Sequence, residues 1–200
     1  MQLPLISNRI SKLGERIPSV NLPAFVTCRK NAPCAKDCYA AKGRFLFPSV
    51  KERYETNYEI YLQNPAFYFT YISQYLKDVP YRRFRWHASG DIPDAQYFEY
   101  MVDLANKHTS TSFLCFTKQY EIVNNYLDNH KALPSNLHII FSQWGDFRCD
   151  NPYNLPTAWV KLNDDTYIPK GAKHCSGFCG NCEYSCWDLI NGEAVFFEKH

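Results

Sequence analysis

Residues 84–116, FRWHASGDIPDAQYFEYMVDLANKHTSTSFLCF, contain a strand, a helix and a second strand in succession. Phe84–Ala88 has the aromatic makeup that suits a half-buried pleated surface. Asp94–Lys107 repeats apolar residues at helical spacing, with Tyr97, Met101 and Leu104 on one side. Ser112–Phe116 is a short apolar run of buried-strand type. Strands joined through a helix of this length run parallel, because parallel pairing needs a crossover.

The alternation continues on both sides. Leu22–Thr27 predicts a short strand leading straight into Cys28. Ser49–Gln63 predicts a helix, with Ser49 as N-cap and Glu52 as its capping-box partner. Asn64-Pro65 predicts a cap followed by a first-turn proline, and a helix to Asp78. Further on, Gln119–Asn129 predicts a helix, Leu137–Phe141 a strand, Ala158–Leu162 a weaker strand and Ala194–Glu198 a closing strand. Five or six strands of this kind suit either an open doubly wound sheet or a partial barrel. With 200 residues, one domain is expected: a βα core over 1–165, a Cys-rich segment over 166–190 and the closing strand over 191–200.

A chain of this size buries a core without disulfides. Its start lacks a long apolar stretch, and no run reaches the ~18 apolar residues of a membrane span. A cytoplasmic, reducing setting without membrane contact is therefore expected, and clustered cysteines there point to metal rather than to disulfides. A net charge of +2 does not announce a nucleic-acid binder, although a local patch is compatible with it.

Seven of the nine cysteines fall in two groups: Cys28, Cys34 and Cys38, then Cys175, Cys179, Cys182 and Cys186. Thiolates select zinc, copper(I) or iron–sulfur clusters. Four close a site, and three leave one position open. The wide spacing of the first group suits a 4Fe-4S cluster with one free iron better than zinc, which favours two-residue knuckles. A zinc site completed by His174 is the competing reading. The second group suits zinc or a second iron–sulfur cluster. Cys115 reads as an inert core residue, and Cys149 carries no assigned role.

Polar residues gather just past the end of each expected strand: Cys28; Ser89, Gly90 and Asp91; Thr117 and Lys118; Ser142, Gln143 and Asp146. In parallel α/β folds that rim binds ligands. Helix capping is the plain alternative, favoured for Asp94 and evenly weighed for Asp91. Arg85, His87 and Ser89 share one face of their strand by alternation, which suits a cavity lining or a solvated edge. His87 and Lys118 are candidates for proton or substrate handling, and Arg85 for a carboxylate or phosphate. His108 and His130, near helix C-termini, complement the dipole there.

Cys-Tyr-Ala at 38–40, Arg-Trp-His-Ala-Ser-Gly-Asp at 85–91, Phe-Thr-Lys at 116–118 and Cys-Trp at 186–187 resemble the phage family of gene product eighty-eight, over roughly Leu22–Trp187. That family in turn resembles radical S-adenosylmethionine enzymes. The resemblance implies an α/β fold with a partial (βα)6-type barrel of parallel strands and a C-terminal Cys-rich metal-binding segment. It implies a cluster on Cys28, Cys34 and Cys38, S-adenosylmethionine with its amino group at Ser89-Gly90-Asp91, an auxiliary centre on the late cysteines, and an electron donor. The phage likeness points to DNA or a nucleotide as substrate, in the host cytoplasm. The cysteine spacing departs from the usual pattern, with five and then three intervening residues, and Tyr39 follows the last cysteine rather than preceding it. Base-exchanging 7-deazaguanine transglycosylases offer a second resemblance, with Asp91 and Asp146 as nucleophile and acid/base and zinc on the late cysteines. A non-catalytic, zinc-stabilised nucleic-acid-binding module is the third reading.

Overall fold

The computed structural model describes residues 3, 6–8, 10, 13, 17–78, 82–145, 147, 149–182 and 185–199. In chain order these hold β1 (Ser19–Val20), α1 (Pro48–Gln63), α2 (Pro65–Asp78), β2 (Arg83–Trp86), α3 (Ala95–Lys107) and β3 (Ser112–Thr117). Next come α4 (Tyr120–His130), β4 (Leu137–Ser142), β5 (Thr157–Lys161), β6 (Lys173–His174) and β7 (Ala194–Glu198). All seven strands form one parallel sheet in the order β1-β2-β3-β4-β5-β7-β6.

The first five strands lie side by side in chain order, so the sheet is singly wound. Buried side chains of all four helices pack on one face, with Val20, Phe84, Trp86, Phe113, Ile139 and Phe141 of the strands. The opposite face carries Leu114, Ile140, Ala158 and Val195. It is covered by Leu13, Ile17 and, from the Cys-rich segment, Trp187 and Leu189. Helices on one face only exclude the doubly wound alternative. Among the described residues β1 and β6 are the two edges of the sheet and do not pair with each other.

Caps set several boundaries as the sequence predicts. Asp94 accepts a 2.8 Å hydrogen bond from Tyr97 N and starts α3. Asn64 Oδ1 accepts from Phe67 N at 2.9 Å and starts α2. The box at Ser49 does not form: α1 begins one residue earlier with Pro48 at its first position, and no side chain caps it. The first strand also differs. It ends at Val20, and Leu22 N still bonds to Ser89 O at 3.1 Å, but Pro23 has no N–H to extend a ladder. Phe25 then turns the chain with φ of 68°. No helix of the described residues is long and apolar enough to cross a membrane.

Candidate functional site

Asn21 organises the rim where the strands end. It is fully buried, and its Oδ1 accepts from Ala88 N at 2.7 Å and Ser89 N at 3.2 Å. Its own carbonyl accepts from Asn57 Nδ2 of α1 at 3.0 Å. The loop after β2 is thereby fixed to the segment after β1. Sequence reasoning passed over Asn21; its one signal is a polar residue inside the otherwise apolar run Val20–Phe25.

Gly90 follows with φ of +78°, and a Cβ there would lie 2.7 Å from both Leu22 O and Thr27 Oγ1. Its missing side chain thus makes room for the loop that leads to Cys28. Asp91 is next, 6% exposed. Its Oδ1 accepts from Thr117 Oγ1 at 2.6 Å and from Ile92 N at 2.8 Å, and its Oδ2 from Lys118 N at 2.9 Å. Asp91 N donates to Thr27 Oγ1 at 3.1 Å. Burial raises the carboxyl's pKa, and the bonds from Thr117, Lys118 and Ile92 oppose it. Asp91 therefore ties the ends of β2 and β3 to the loop that leads to Cys28.

His87 does not share a face with Arg85. Its φ of 53° breaks the strand alternation and turns the ring to the helix side. There Nε2 lies 3.1 Å from Tyr97 Oη, and Nδ1 lies 3.9 Å from Cys115 Sγ. Burial, helped by the Arg85 charge, lowers its pKa to about 3, so the ring is neutral. Cys115 is fully buried, and burial raises its pKa.

Cys28, Cys34 and Cys38 lie in the loop between β1 and α1, which winds through short 3-10 turns at Ala35–Asp37, Tyr39–Ala41 and Gly43–Leu46. Tyr39 Oη donates to Ala88 O at 2.7 Å, and Gln119 Nε2 donates to Thr27 O at 3.3 Å. These bonds hold the loop over the ends of β2 and β3. Burial raises the Cys28 thiol to about 11; a backbone hydrogen bond at Phe25 opposes this, and Asp91, Cys38 and Cys34 add to it. Burial also raises Cys38, where Cys34 adds and Lys118 opposes. The three thiols thus share one electrostatic neighbourhood with Asp91 and Lys118.

The late cysteines belong to the other face of the sheet. Cys175, Cys179 and Cys186, with Phe116 and Phe197, pack against the apolar cluster that contains Trp187. Burial raises Cys186 to about 12 and also raises Cys179, and in both the Arg85 charge is the first influence opposing it. Arg85 lies with its guanidinium 4.1 Å from the centre of the Phe116 ring and donates through Nε to Trp86 O at 3.0 Å. Its charge also acts on the Tyr39 hydroxyl. The Arg85 charge therefore reaches Cys179 and Cys186 of the late group and, in the early loop, the Tyr39 hydroxyl.

All nine cysteines are free thiols. Among the described residues, no three His, Cys, Asp or Glu side chains stand close enough together to hold a metal ion. Gln143, just past the end of β4, is 8% exposed, and its Oε1 has no hydrogen-bond partner among the described residues. His174 lies beside Glu198, with Nε2 3.8 Å from Oε1, and stacks on Phe196. Asp146 lies outside the described residues.

The gene product 88 family matches residues 4–173. The first cysteine group, the Ser-Gly-Asp turn and Lys118 lie inside the match, and the late cysteines lie beyond it. No curated protein matches the chain, and no solved structure does. With most of its length matched, the chain belongs to the gene product 88 family.

Proposed function

We propose that this protein is an iron–sulfur-dependent enzyme of the radical S-adenosylmethionine-like kind, acting on nucleic acid or a nucleotide. One observation carries the reading: three free cysteines, Cys28, Cys34 and Cys38, lie in the one loop that Tyr39 and Gln119 hold over the ends of parallel strands. A mononuclear ion draws its ligands onto one centre, whereas a four-iron cluster receives each thiolate on a separate iron. Bound there, a cluster would supply electron transfer and an iron open to a ligand.

The chain's own residues would do the rest. Lys118 favours the anionic form of Cys38, and Arg85 that of Cys179 and Cys186. The late cysteines would hold an auxiliary cluster or zinc. S-adenosylmethionine would need a seat other than the Ser-Gly-Asp turn, because Ser89 O, the space at Gly90 and both Asp91 oxygens are already engaged within the protein. The same engagement lends nothing to Asp91 as a transglycosylase nucleophile.

A second reading, a zinc-stabilised nucleic-acid-binding module without catalysis, draws on that fully engaged Asp91. Iron, zinc and acid-labile sulfide analysis of protein purified without oxygen separates the two. Iron with sulfide, and absorbance near ~400 nm, is the expected result. Colourless protein holding zinc alone would leave only the binding module.

A further inference from the structure

The geometry points to a binding surface for single-stranded nucleic acid, formed by the loop 25–47 and the groove beside it. The surface deepens the nucleic-acid part of the reading above and does not depend on which metal the cysteines hold. Between β1 and α1 this loop carries Arg29, Lys30, Lys36, Lys42 and Arg44 against one acid, Asp37. Five basic residues and one acidic give it +4, against +2 for the whole chain, which leaves −2 on the remainder. Asp37 is itself paired with Lys199, Nζ to Oδ1 at 3.1 Å. Arg29 pairs with Glu121 at 3.6 Å, and the exposed Lys30, Lys36, Lys42 and Arg44 leave the loop basic on a nearly neutral chain.

Aromatic rings are interleaved with these charges. Phe25 is 55% exposed, Tyr39 45% and Phe47 56%. Tyr39, Phe45 and Tyr54 form a ladder of rings, with centroids 5.6 Å and then 6.5 Å apart. The ladder leads from the residue after Cys38 to a groove of about 500 Å³, lined by Arg44, Arg53, Phe45, Tyr54, Ser7 and Asn8. That volume lies in the range of small-ligand sites. The start of α1 also lines the groove through Ser49, and that end carries no side-chain cap and no acid in its first turn. A helix N-terminus of this kind adds positive potential for an anion.

Cationic side chains that follow a phosphate backbone, alternating with rings on which bases stack, are the two components of single-strand binding. A duplex hides its base faces and leaves exposed rings with nothing to stack on. A bilayer surface does not enter a concave groove lined by two arginines. A single strand satisfies both features, and the ring ladder would bring it alongside the cysteine loop.

Fluorescence anisotropy with a labelled oligothymidylate and a duplex of equal length, at about 50 and 200 mM salt, tests the surface. The single strand should bind about tenfold more tightly than the duplex, and salt should weaken it. The double variant Arg44→Gln/Arg53→Gln should weaken binding about tenfold and flatten the log–log salt slope by about 1.4, the effect of two lost phosphate contacts. Phe47→Ala should weaken binding with the slope unchanged. Circular dichroism checks folding, and Lys36→Gln/Lys42→Gln, on the exposed loop, replaces any variant that does not fold. Equal binding of duplex, unchanged binding in the charge variants, or capture by anionic vesicles but not by oligonucleotide would overturn the surface. Iron-bearing protein that ignores the oligonucleotide overturns this surface alone, and iron-free protein that binds it overturns the cluster alone.

Discussion

Thr117 Oγ1 donates a 2.6 Å hydrogen bond to Asp91 Oδ1 and so joins the end of β3 to the turn that follows β2. With Lys118 N on the other oxygen, the carboxylate occupies a socket made by two strand ends. The cysteine loop leans on the same socket, because Thr27 Oγ1 accepts from Asp91 N just before Cys28. Asp91→Asn keeps the shape but turns one acceptor into a donor that meets other donors. It should cost about 1–3 kcal/mol in urea unfolding. A change within about 0.5 kcal/mol, the range of ordinary surface substitutions, would show that the socket does not hold the rim.

Gly90 allows the closest approach of the loops. Alanine there would place Cβ 2.7 Å from Leu22 O and Thr27 Oγ1 at a positive φ. Left-handed strain and overpacking together should destabilise the fold by about 2–4 kcal/mol. Thermal unfolding of Gly90→Ala reads this directly, and a melting temperature equal to that of the parent protein would refute the close contact.

His87 gives the fold a pH dependence of known sign. Its pKa drops from 6.5 to about 3 on folding, chiefly through burial. The unfolded chain therefore binds the extra proton between those values, and stability falls as pH drops through that window. The limiting slope is about 1.4 kcal/mol per pH unit. Burial lowers His108 and His138 as well, so they act with the same sign. Urea unfolding of His87→Gln from pH 6.5 to 4 should show a shallower decline than the parent; parallel curves would mean that His87 is not buried as a neutral ring.

Much of the fold is legible because its signals are local. Asp94 and Asn64 announce their helices, and the apolar runs at 112–116, 137–141 and 194–198 are strands in the structure. The Lys173–His174 strand leaves no signal in the sequence, since two residues carry no periodicity. The Leu22–Thr27 expectation failed on Pro23, whose missing N–H outweighs the apolar content around it. At the rim, residue identities were legible and their orientations were not. A positive φ at a histidine leaves no trace in sequence, so strand alternation sets His87 on the face of Arg85 whereas the fold sets it against Tyr97. The partners of Asn21 lie 67 and 68 residues away, and only the folded sheet brings them together. The grouping of the cysteines is plain from their spacing, but the seat of Arg85 over the Phe116 ring follows only from the pairing of β2 with β3.

The central claim is a sulfur-held centre on Cys28, Cys34 and Cys38, distinct from a second on the late cysteines. Metal and acid-labile sulfide counted per chain in Cys34→Ala, purified without oxygen beside the parent protein, tests it most directly. The account predicts that the variant loses the metal of one centre and keeps that of the other. Loss of both together, or a metal content equal to that of the parent, would contradict it.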